Sequence, residues 1–85
     1  MQMKMYSIKD VKVGIYHPPV CCHNAAHAIR MHSDYFNRPD SQFCKYAGDF
    51  EIYEVGTFDD QTGSVVPVVS PVFLIAGADL VKPLS

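Results

Sequence analysis

A strand-like run followed by a dense turn signal, FEIYEVGTF and then DDQTG (residues 50–63), constrains this chain more than any other feature. Aromatic and β-branched residues suit a pleated, half-buried surface, and Asp59, Asp60 and Gly63 either bond their own backbone or tolerate positive φ. Residues 50–58 are therefore expected to pair with residues 64–69 as a hairpin. Strict alternation places Phe50, Ile52 and Phe58 on one face and Tyr53 and Val55 on the other, so both faces carry apolar groups. One helix covers only one face of a small sheet. The second face needs another partner, either the apolar run at residues 72–76 or a second subunit. Pro67 and Pro71 belong at a sheet edge because proline cannot donate to a ladder. Residues 67–85 thus read either as an arm or interface segment, or as a tail folded back on its own domain.

The remaining sequence supplies a strand and a helix. Residues 3–8 suit a first strand, although Met3 and Met5 fall on one phase and Tyr6 and Ile8 on the other. Gly14 marks a turn or bulge before an extended Ile15 and Tyr16. Asn24 is a good N-cap, and Ala25, Ala28, Ile29 and Phe36 recur at helical spacing. That helix should stop by Asn37, because Pro39 pushes Arg38 out of the α region. Residues 41–47 suit one or two helical turns ended by Gly48. The expected fold class is α+β: one domain, residues 1–85, with a small antiparallel sheet containing the C-terminal-half hairpin packed against one main helix. A chain of 85 residues buries only roughly 60% of its unfolded surface, which favours self-association, most simply as a homodimer.

Several segments occur together in the order of a known family: MYSIKDVKVGIYHPP (5–19), AAHAIRMHSDYFN (25–37), RPDSQF (38–43) and EVGTFDD (54–60). With these the chain resembles the small non-structural protein of gokushovirus-type microviruses, which are single-stranded DNA phages. It departs from that pattern at Ala47 and Gly48, where a proline and an acidic residue are expected, and at Cys21, Cys22 and His23. The resemblance implies a role in viral single-stranded DNA synthesis or its hand-over to packaging, with DNA as a bound partner. None of the matching segments is a site motif with a mechanism of its own.

Charge restricts how DNA could be held. Residues 1–39 carry Lys4, Lys9, Lys12, Arg30 and Arg38 against Asp10 and Asp34, a balance of +3, and residues 40–85 carry Lys45 and Lys82 against seven acids, a balance of −5; together these give the net −2. Phosphate affinity comes mainly from neutralised charge and released counterions, so the N-terminal half must carry any contact. The candidate nucleic-acid-binding residues are Lys4, Lys9, Lys12, Tyr16 and Arg30, basic groups to track phosphate with an aromatic on which a base can stack. Outside the resemblance, such lysines read as a solvated face, and Tyr6 and Tyr16 as core or interface residues.

Other chemistry finds little support. Cys21, Cys22, His23 and His27 offer soft and imidazole ligands, with His23 and His27 at i and i+4, but adjacent cysteines suit one tetrahedral ion poorly and no C-x-x-C is present. No metal, cofactor or catalytic residue is assigned, and the chain is expected not to be an enzyme. Asp59 and Asp60 read as turn residues. The longest apolar stretch, residues 65–76, is interrupted by Pro67, Ser70 and Pro71 and falls short of the about 20 residues of a membrane span. The absence of a leader-like opening and an odd number of cysteines, three, suit a reducing cytoplasm, here the host's. Two functions follow: a non-catalytic DNA-binding protein of viral genome synthesis or packaging, and an adaptor for viral or host replication proteins that never touches DNA.

Overall fold

The computed structural model describes residues 1–82. Its elements in chain order are β1 (Gln2–Asp10), β2 (Ile15–Tyr16), β3 (Val20–Cys22), α1 (Ala25–Phe36), α2 (Gln42–Lys45), β4 (Phe50–Asp59) and β5 (Val65–Ala76), with 3₁₀ turns at Ala47–Asp49 and Gly77–Asp79. All pairings are antiparallel, in the order β2-β1-β4-β5, and β3 shares with β2 the outer edge of β1. The molecule is an α+β domain in which α1 covers one face of a curled sheet.

Local signals explain most element ends. Asn24 caps α1 by accepting from the His27 amide at 2.8 Å. Asn37 closes its other end and also donates to the Leu80 carbonyl at 2.9 Å while accepting from the Lys82 amide at 2.7 Å. One side chain thereby ties the chain's last described turn to the helix. At the hairpin tip, Asp59 Oδ1 accepts from the Gln61 amide at 2.9 Å, and Gly63 takes the left-handed conformation with φ 75°. Those backbone donors hold the Asp59 carboxyl below its ordinary range. Asp60 accepts from the N-terminal ammonium at 2.7 Å. The Asp59 carboxylate is spent on turn geometry and that of Asp60 on the ion pair.

The core lies between α1 and one sheet face. Tyr6, Ile8, Phe50 and Ile52 from the strands meet Ala28 and Phe36 from α1, with Cys22, Ala47 and Leu80 closing the sides. Phe36, Phe43 and Phe50 form a ring cluster with centroids 5.0 to 6.2 Å apart. Gly77 passes so close to this cluster that an added Cβ would lie 2.6 Å from the Ala47 carbonyl and against the Phe36 ring. His32 is buried in α1 and bonds the Ala28 carbonyl at 2.7 Å.

Three sequence expectations need correction. Phe58 does not share a face with Phe50 and Ile52: the pairing jumps from Tyr6↔Glu54 to Met5↔Gly56, so Val55 is an extra residue and the phase of β4 reverses beyond it. Cross-strand partners share a face, which places Phe58 opposite Met3 on the side turned away from the helix. β5 does not stop at Val69; it runs twelve residues through both prolines, because pairing resumes at Glu54↔Val72 and Tyr53↔Phe73 after residues 68–71 bulge out opposite Val55. Gly48 sits inside a 3₁₀ turn and does not end the preceding helix. Val20–Cys22, a segment without a strand signal of its own, pairs with β1.

Candidate nucleic-acid interface

On β1, alternate residues serve opposite faces. Tyr6 and Ile8 point into the core, whereas Met3, Met5, Ser7 and Lys9 belong to the face without a helix. The register extends that face outward: Lys9 lies opposite Tyr16 on β2 and Glu51 on β4, and Ser7 lies opposite Tyr53, itself opposite Phe73 on β5. Tyr16, Tyr53 and Phe73 consequently form a row across the sheet, each neighbouring pair edge to face with centroids 5.8 Å apart.

The charges at this row are the Lys9 ammonium and the Glu51 carboxylate opposite it. Lys9 Nζ sits 5.3 Å from the Tyr16 ring centre and 5.6 Å from that of Tyr53. Among the described residues it has no carboxylate within ion-pair distance. Beside it, the Tyr53 hydroxyl donates to Glu51 at 2.7 Å, and this bond raises the Tyr53 pKa above its ordinary value. The arrangement is one cation resting on two aromatic faces, with the Glu51 carboxylate held on the Tyr53 hydroxyl and Phe73 beyond it.

The five sequence-assigned residues do not form one surface. Lys9 and Tyr16 come together as described. Lys12 lies in the adjoining turn, with its ammonium 4.0 Å from Asp49. Lys4 is on the other side-chain phase of β1, 3.4 Å from Glu54. Arg30 projects from the solvent side of α1, beside Ser33, Asn37 and Lys82, with the helix and sheet between it and Lys9. Because β1 pairs with β4 along its whole length, the basic and acidic halves of the sequence interleave. A separate positive half, clear in the linear sequence, does not exist in the fold.

Tyr53 and Phe73 were missed as site residues. The signal was present in Tyr53, assigned to a face that needed a partner, but its juxtaposition with Tyr16 depends on β2 and β4 flanking the same strand. Tyr6 is fully buried and its hydroxyl pKa is raised by burial, so it stacks nothing from solvent. The three cysteines are free; Cys22 is buried with its thiol pKa pushed up, while Cys21 faces outward opposite Met5. His23 and His27 stack at 5.1 Å, with His27 Nδ1 accepting the His23 amide. No group of three metal-capable side chains converges among the described residues. Nor is any helix there long and apolar enough to cross a membrane.

A family model described as Phage ORF5 protein matches residues 3–80, from β1 to the leucine that closes the core. The chain belongs to that family. No curated protein and no solved structure matches it. Membership makes this a phage protein, and the matched span takes in the whole aromatic row.

Proposed function

We propose that this Phage ORF5 family member is a non-catalytic single-stranded DNA-binding protein of a microvirus of the gokushovirus type, acting as a homodimer in the host cytoplasm during genome synthesis or the switch to packaging. The observation that carries the reading is Lys9 resting on Tyr16 and Tyr53 on the helix-free face, with Phe73 continuing the row. Bases stack on aromatic side chains whatever their identity, and a lysine beside them neutralises phosphate, the combination that sequence-tolerant single-strand binders use. Lys12, in the turn next to this face, would meet the next phosphate by exchanging its Asp49 partner. Lys4 and Arg30 stand apart from the track.

Titration of a labelled single-stranded oligonucleotide tests this, followed by anisotropy at two salt concentrations. The chain has five tyrosines and no tryptophan, so stacking should also quench its tyrosine fluorescence. Binding should weaken with salt, and each lost phosphate contact should make the log-log slope shallower by about 0.7. The competing adaptor for viral or host replication proteins would show neither salt-sensitive binding nor quenching. That outcome would replace the DNA reading.

A further inference from the structure

The distal part of the β4–β5 hairpin carries apolar side chains that nothing among the described residues covers. Val65 and Val66 are each 56% exposed, Val69 is wholly exposed, and Val72 and Phe73 are 54% and 53% exposed. They wrap the outer strand and do not share one face: Val65 and Phe73 pair onto the helix-free side, Val66 and Val72 onto the side of the helix, and Val69 stands in the bulge between. Phe58, Met3 and the two prolines border the same region and extend it. The molecule is correspondingly open: its radius of gyration is 13.2 Å, against about 12 Å for a compact chain of this length.

We propose that residues 65–72 are a self-association surface that docks on the same segment of a second copy, leaving Phe73 to the aromatic row. A two-fold contact brings identical patches together, so any net charge in the patch would repel itself. Residues 61–78 contain no charged side chain, while all seven acids of the C-terminal half lie outside them. This neutral segment is where two copies of an acidic half can meet without that penalty. Pro67, Pro71 and the bulge at residues 68–71 interrupt the free edge of β5, and such features block open-ended strand addition. Contact through the protruding valines therefore closes a dimer and does not seed a fibre. The inference supplies the surface for the homodimer proposed above and does not depend on DNA binding.

The test is sedimentation equilibrium of the whole chain across the micromolar range, without DNA. Wild type should reach twice 9.5 kDa, and Val69→Asp and Val72→Asp should each raise the dimer dissociation constant about tenfold or more while the far-ultraviolet circular dichroism is unchanged. Val13→Asp, at the exposed β1–β2 turn, should leave it unaltered. A short bismaleimide should link Ser70→Cys to its counterpart in a background with Cys21→Ser and Cys44→Ser. A folded wild type that stays monomeric at high micromolar concentration overturns the proposal and leaves the patch to a different protein. A dimer indifferent to both aspartates, or uncrosslinked at residue 70, overturns it as well. Dimerisation without oligonucleotide binding would sustain this surface and remove the DNA reading.

Discussion

Ile52 and Tyr53 are neighbours in sequence and sit on opposite faces of the same strand. Ile52 is fully buried between β1, β5 and α1, lined up with Ile8 and Ile75. Tyr53, one residue on, is half-buried among Tyr16, Phe73 and Lys9 with no helix over it. Both faces are apolar, yet among the described residues only one is packed by a helix. The covered face explains why the domain folds; the uncovered face holds large side chains in fixed positions that folding alone does not require.

Adjacent substitutions should separate those roles. Ile52→Ala should cost about 2–5 kcal/mol, from lost transfer energy and the cavity left behind. In so small a domain that should appear as a large fall in the chemical-denaturation midpoint. Tyr53→Ala removes two edge-to-face contacts and should cost nearer 1 kcal/mol, but should weaken single-stranded DNA binding about tenfold, since stacking contributes 1–3 kcal/mol per base. If Tyr53→Ala unfolds the protein as badly as Ile52→Ala, the two faces are not distinct and the open one is core.

Gly77→Ala probes the covered side at its tightest point, where Cβ would meet the Ala47 and Phe50 carbonyls and the Phe36 ring. Backbone cannot move aside as a flexible side chain can, so a loss of about 1–3 kcal/mol is expected in the same denaturation assay. Asn24→Ala, at the start of the covering helix, removes the cap to His27 and should cost about 1 kcal/mol.

The smallest effect concerns pH. Burial lowers the His32 pKa below its ordinary 6.5, so the unfolded chain takes up a proton more readily than the folded one. Stability should be fully present above pH 6.5 and decline as pH falls below it towards the folded pKa, because there the unfolded state binds more protons. His32→Gln should flatten that slope in unfolding curves collected between neutral pH and the mildly acidic range. If His32→Gln leaves the slope unchanged, the burial account of His32 is wrong.

What the sequence determined by itself was local. Asn24 as a cap, Pro39 as a stop, and Asp59 with Gly63 as a turn each act within a few residues, and the succession of strand-like and helical segments selected a small α+β domain with one main helix. Two apolar phases on residues 50–58 also announced a sheet with both faces to fill. Tertiary structure decided the rest. The Val55 bulge moved Phe58 to the open face, since a single inserted residue reverses every later side chain and leaves no mark in composition. Pairing of β1 with β4 dissolved the charge division between the halves, because electrostatics follows distance in space. The grouping of Lys9, Tyr16, Tyr53 and Phe73 arose from four strands laid side by side, and Lys4 and Arg30 were carried elsewhere by the same packing.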